Sequence, residues 1–92
     1  MPAVSHKSAM ARVKKLRQLV DALGTARAYR KLHGILDALE LQLDDGNYRR
    51  HAVTRLCEAF LSTAELYDIS EAAARRMEHA ACALVTLVED GR

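Results

Sequence analysis

His79 and Cys82 stand three residues apart, a spacing that puts an imidazole and a thiol on one face of a helix. Zinc takes such ligands, but a closed structural site needs about four of them. His6, His33 and His51 show no paired spacing such as HxxxH, so further ligands would have to come from elsewhere in the fold or from a second copy. A thiol beside an imidazole is also the beginning of a nucleophile, but no orienting third group or oxyanion donor is evident. Cys82 falls on the polar side of its helix. Cys57 falls on the apolar side of another, where a small core residue is its simplest role. Asp44-Asp45-Gly46-Asn47 lacks the alternating oxygen ligands and terminal Glu of a calcium loop, so it reads as a turn. We therefore expect no catalytic residues, no metal, no cofactor and no enzymatic activity.

Cations are the remaining chemistry, and they are sorted by position. Residues 1–33 hold eight Lys or Arg (Lys7, Arg12, Lys14, Lys15, Arg17, Arg27, Arg30, Lys31) against one acid, Asp21, a net +7. The other 59 residues hold six bases against eleven acids, a net −5, leaving +2 for the chain. Such asymmetry marks a docking surface for an anionic partner or an internal zipper between helices. For the docking surface, Lys14, Lys15, Arg17, Arg27, Arg30 and Lys31 are the expected anionic contacts. Gly34 and Leu41, on the nominally polar side of the second helix, are the expected apolar contacts. A mid-helix glycine costs roughly 1 kcal/mol relative to alanine, which a close backbone approach would explain. Ala52, Ala59, Thr63 and Leu66 form a comparable strip on the third helix.

Four helices must position these groups. The first starts near Ser5 or Ser8 and carries Val13, Leu16, Leu19, Val20 and Leu23 at helical spacing. Gly24 suits a helix end, and Thr25 can cap the second helix. That helix runs from about Ala26 to Leu43, with Ala28, Tyr29, Leu32, Ile35, Leu36, Leu39 and Leu43 in its stripe. After the turn, Asn47 or Asp45 can cap a third helix from about Tyr48 to Tyr67, which is expected to bury Val53, Leu56, Cys57, Phe60, Ala64 and Tyr67. Ser70 can cap a fourth helix presenting Ala73, Met77, Ala80, Ala81, Leu84 and Val88, with Leu87 beside them, and ending near Glu89. Residues 1–6 are expected to fray. Short connections favour antiparallel neighbours.

The zipper arises from that order. Acids belong at helix N-termini and bases at C-termini. The second helix instead begins with Arg27, Arg30 and Lys31 and ends with Asp37, Glu40, Asp44 and Asp45. The third begins with Arg49, Arg50 and Arg55 and ends with Glu58, Glu65 and Asp68. Antiparallel packing would set each acidic end beside a basic start and so help select the topology.

Ninety-two residues with Tyr29, Tyr48, Phe60 and Tyr67 as the aromatics and no Trp make one domain with a thin aliphatic core. A homodimer and a monomeric bundle both fit. No stretch approaches the ~20 apolar residues of a membrane span, and Cys57 and Cys82 show no disulfide framework, so we expect a cytoplasmic protein without membrane contact. Residues 64–78 resemble a helix-turn-helix: Ala64-Glu65-Leu66-Tyr67-Asp68-Ile69-Ser70 is followed by Ala73, Ala74 and Arg76. Asp68 stands where such motifs usually carry glycine. An ordinary capped helix start accounts for the same residues.

The expected fold is all-α, a small antiparallel up-and-down bundle of three to four helices, with 1–92 as a single domain. The expected function is a non-enzymatic regulator, adaptor or inhibitor that binds another protein. The alternative is a nucleic-acid-binding regulator that uses the basic helices one and two, or residues 64–78, against phosphate.

Overall fold

The computed structural model describes residues 6–44 and 48–90. Four helices occur in order: α1 (His6–Asp21), α2 (Arg30–Asp44), α3 (Arg50–Ala64) and α4 (Glu71–Asp90). They form a ring in which α1 packs on α2, α2 on α3, α3 on α4, and α4 back on α1. Contacts between neighbours set their directions. Arg17 of α1 meets Asp37 and Glu40 of α2, while Asp21, a turn later, meets His33, a turn earlier. Arg50 and Thr54 at the start of α3 meet Glu89 at the end of α4. The fold is therefore the expected all-α, up-and-down bundle, with four helices. Its extents of 42 × 22 × 19 Å are those of a rod two helix diameters thick.

Each helix buries a seam of four residues at intervals of four, three and four, and α4 buries Leu87 beside its seam. The seam residues are Ala9, Val13, Leu16 and Val20 on α1, and Leu32, Leu36, Leu39 and Leu43 on α2. On α3 they are Val53, Cys57, Phe60 and Ala64, and on α4 Met77, Ala81, Leu84 and Val88. This is the heptad seam of a helical bundle. Antiparallel order stacks the seams into layers with one residue from every helix. Ala9, Leu43, Val53 and Val88 make the first layer, and Val13, Leu39, Cys57 and Leu84 the second. Leu16, Leu36, Phe60 and Ala81 make the third, and Val20, Leu32, Ala64 and Met77 the fourth. Every layer pairs bulky with small side chains: Phe60 shares its layer with Ala81, and Ala64 shares its layer with Met77. No polar side chain among the described residues is buried. The core closes within one chain.

Several helix ends differ from the sequence reading. Thr25 caps as expected, its Oγ1 accepting from the Ala28 N–H at 3.2 Å. The turn it caps, however, precedes the helix, and α2 begins at Arg30 rather than about Ala26. Gly24 does not adopt the left-handed backbone of a helix-capping glycine. A Cβ there would stand 3.0 Å from Cε2 of Tyr29. The Tyr29 ring in turn lies 4.9 Å from that of Tyr67, so this loop is pinned to the end of α3. Arg49 precedes α3 in an extended conformation with no side-chain cap, and the expected caps Asp45 and Asn47 lie outside the described residues. The α3 helix ends at Ala64 rather than Tyr67. Ser70 caps α4, its Oγ accepting from the Ala73 N–H at 3.2 Å. Of residues 1–6, only His6 is described, and it opens α1.

Truncating Phe60, the largest fully buried side chain, tests this packing. Phe60→Ala is expected to cost about 3–5 kcal/mol, read as a lower urea midpoint by circular dichroism. A loss below about 1 kcal/mol would contradict the layers.

Candidate functional site

Arg17 is the centre of the α1–α2 contact. It lies one position beyond the buried Leu16, so helical geometry turns it toward α2. Its Nη2 donates to Asp37 Oδ1 at 2.7 Å and to Glu40 Oε1 at 2.9 Å. Its Nη1 stands 3.0 Å from His33 Nδ1. A guanidinium only donates, so Nδ1 accepts and the imidazole proton sits on Nε2. The Asp21 carboxylate lies 3.5 Å from that Nε2, close enough for attraction but outside hydrogen-bond geometry. Partial burial acts to lower the Arg17 pKa, but the hydrogen bonds and charges of Asp37 and Glu40 outweigh it and raise the pKa above its ordinary value. Arg17, expected as a partner contact, is thus already held by two carboxylates, and its side chain is only 25% exposed.

The remaining expected bases stand differently. Lys14, Lys15, Arg27, Arg30 and Lys31 are all exposed. None makes an ion pair with a carboxylate among the described residues, where the bridges are those of Arg17, the His33–Asp21 contact and Arg75 with Glu71. The zipper is realised between α1 and α2, whereas the basic start of α2 and the acidic end of α3 form no ion pair among the described residues. The reason is azimuth. Thr54 and Arg50 show which flank of α3 faces α4, and by helical spacing Glu58 and Glu65 lie on that flank. The start of α2 runs beside the opposite flank. Opposite charges reach the same level of the bundle but point to different sides of it.

Charge is consequently sorted by face. The α3–α4 side carries Glu58, Glu65, Glu71, Glu78 and Glu89. The outer side of α2 carries Arg30, Gly34, Asp37 and Leu41 in one row, with Asp37 turned to Arg17 and with Lys31 and Ala38 beside the row toward α3. The α3 flank that meets them carries Ala52, Ala59 and Thr63, with Arg55 outside. Leu41 and Leu66 are each 76% exposed. Gly34 has no atom within 4 Å of where a Cβ would be, so nothing in this chain approaches it. Helical spacing alone puts Leu41 and Gly34 on one row. It treats His33 and Asp21 separately from Arg17, because a contact across 16 to 23 residues needs the α1–α2 register.

The sulfur chemistry is modest. Cys57 is buried, which pushes its thiol pKa up to about 12, with smaller contributions from Cys82 and Glu58. Cys82 is exposed. Both thiols border a shallow cleft of about 290 Å³ between α3 and α4. A second open cleft of about 420 Å³ brings Arg12, Glu78 and His79 near Cys82. No three His, Cys, Asp or Glu among the described residues come together as a metal site. No described helix is long and apolar enough to cross a membrane. The α4 helix folds back along α3, with Glu89 beside Thr54 and with Met77 and Ala64 in one layer. Residues 64–78 therefore form an αα-hairpin rather than the steep crossing of a helix-turn-helix.

The chain matches no family model, no curated protein and no solved structure in comparison.

Two measurements check this surface. Gly34→Ala adds a methyl into open space, so helix propensity should raise stability by about 0.5–1 kcal/mol. A lower melting temperature would show an unseen close contact at Gly34. Ellman's reagent at pH 8 should react at once with Cys82 alone, and with Cys57 only after denaturation. Two fast thiols in the native protein would contradict the burial of Cys57.

Proposed function

We propose that this protein is a small non-enzymatic regulator, adaptor or inhibitor that binds another protein through its helical surface. The observation that carries this reading is the set of exposed cations left without a carboxylate by the fold. Lys14, Lys15, Arg27, Arg30 and Lys31 add positive charge that the bundle does not use. Wrong-signed charge at a helix N-terminus costs about 0.3–1 kcal/mol per group, and a partner's anions would offset it. The mechanism is occlusion: the bundle covers a functional surface of the partner, and the basic residues steer the encounter. The site of action is the cytoplasm, where Cys57 and Cys82 remain thiols.

The rival reading sends the same cations to nucleic-acid phosphates. It is the weaker one on two counts. Base stacking needs exposed aromatic rings, whereas Tyr29 and Tyr67 are partly buried and lie against each other. The antiparallel packing of α4 on α3 also weighs against a helix-turn-helix at residues 64–78.

Affinity capture from a lysate of the source cells, with and without nuclease, separates these readings. A stoichiometric protein partner is expected to survive nuclease. Changing Lys14, Lys15, Arg30 and Lys31 together to Glu is expected to abolish its capture while helix content persists. Nuclease-sensitive material with high absorbance at 260 nm, or capture indifferent to the fourfold reversal, would overturn the proposal.

A further inference from the structure

We infer that the face formed by α2 and α3 receives an amphipathic helix of the partner, one whose apolar stripe is flanked by Asp or Glu. The inference rests on the protein-binding reading and narrows it to one face and one ligand chemistry.

Three independent features meet on this face. The first is apolar exposure. Leu41 is 76% exposed on α2, and Leu66 is 76% exposed just beyond α3. Scattered exposed leucines are ordinary, but these flank the groove between two helices. The second is the floor of that groove. Ala38, Ala52 and Ala59 keep it shallow, and Gly34, on the outer crest of α2 beside them, has no atom within 4 Å of where its Cβ would be. A third helix can approach closely only over residues this small. The third is charge. Arg30, Lys31 and Arg55 border the groove, all exposed and without ion pairs among the described residues. Between Arg30 and Leu41 the acids are Asp37 and Glu40, and both turn away to Arg17. Between Ala52 and Thr63 the acid is Glu58, which by helical spacing faces α4. The face is thus apolar over its small residues and cationic at Arg30, Lys31 and Arg55, with Asp37, 70% exposed, held by Arg17 at its α1 edge.

Those properties choose among occupants. A helix laid in a groove is held by apolar residues at i, i+3, i+4 and i+7, and here its flanking positions meet cations. A second copy related by a two-fold axis would set this cationic face against the same cationic face, six uncompensated charges in one interface. A head-to-tail copy offering its acidic α3–α4 side would leave its own α2–α3 face open, and assembly would not close. A phosphate backbone would satisfy the cations but leave Leu41 and Leu66 uncovered.

The test uses the full chain and a synthetic fluorescein-labelled helical peptide of about twenty residues, long enough to be helical. The peptide carries a leucine stripe, Glu at the flanking positions and Ala elsewhere. A counterpart has every Glu replaced by Lys. Fluorescence anisotropy reads affinity, and amide chemical shifts locate the site. The acidic peptide is expected to bind at least about tenfold more tightly than its Lys counterpart, with shifts confined to 30–41 and 52–66. Leu41→Glu and Gly34→Leu, each on the surface and each verified as folded, should weaken it about tenfold or more. The control variant Arg76→Glu, on the exposed side of α4, should retain its affinity within about twofold.

Equal binding of the two peptides, no binding of either, or shifts centred on α1 and α4 would overturn the inference. So would self-association in sedimentation that Leu41→Glu abolishes, which would assign the face to a second copy. A captured protein partner that needs Lys14 and Lys15 but tolerates Leu41→Glu would overturn the inference while leaving the protein-binding reading intact.

Discussion

Four layers of side chains, each closed by one residue from every helix, fix the azimuth of all other groups in this bundle. The buried interval of four, three and four is the same on each helix. Rotating any one helix by a single residue would withdraw Leu, Val or Met from the centre and push a charge toward it, at several kcal/mol. The core therefore dictates which charges can meet. Arg17 comes directly after Leu16 and so faces α2. Arg30 and Leu41 lie opposite Leu32 and Leu39 and so face outward. The ion pairs respond to the packing and do not create it, which agrees with the small worth of exposed pairs, about 0.2–1 kcal/mol each.

The same azimuth explains why the helix ends carry charges of the wrong sign without full compensation. None of α1, α2 and α3 has an acid in its first turn or a base in its last. Local remedies exist. Arg50 donates to the Glu89 carbonyl at 3.2 Å, placing a cation at the C-terminal end of α4. Glu71 occupies the first turn of that helix. No such remedy reaches Arg30 or Lys31 among the described residues. A cation held at a small local cost, on a face with an open glycine and an exposed leucine, is what a surface meant for an anionic partner would carry.

Most of the fold was legible because periodicity reports burial directly. Leu32, Leu36, Leu39 and Leu43, or Met77, Ala81, Leu84 and Val88, announce their seams by spacing alone. Helix starts were less legible where tertiary contacts decide them. Thr25 is a sound capping residue, but Tyr29 is drawn onto Tyr67 and the chain turns once before α2 begins. Gly24 looked like a backbone requirement and proved to be room for a ring. The candidate site was half legible. Exposure of Lys14, Lys15, Arg27, Arg30, Lys31 and Leu41 is a consequence of helical position. The commitment of Arg17 to Asp37 and Glu40, and the lack of an ion pair between the start of α2 and the end of α3 among the described residues, depend on which flank meets which neighbour, and one-dimensional charge order does not contain that.

The salt dependence of thermal stability addresses the central claim most directly, because it separates charges held inside the fold from charges left for a partner. Melting is followed by circular dichroism in dilute buffer and in about 0.5 M sodium chloride, where screening is nearly complete beyond about 4–5 Å. If Lys14, Lys15, Arg27, Arg30 and Lys31 repel one another and pair with nothing, added salt should leave the melting temperature unchanged or raise it. A fall of more than about 5 °C, close to 1 kcal/mol for a domain of this size, would mean that attraction between helices consumes these charges, and the docking surface would not exist.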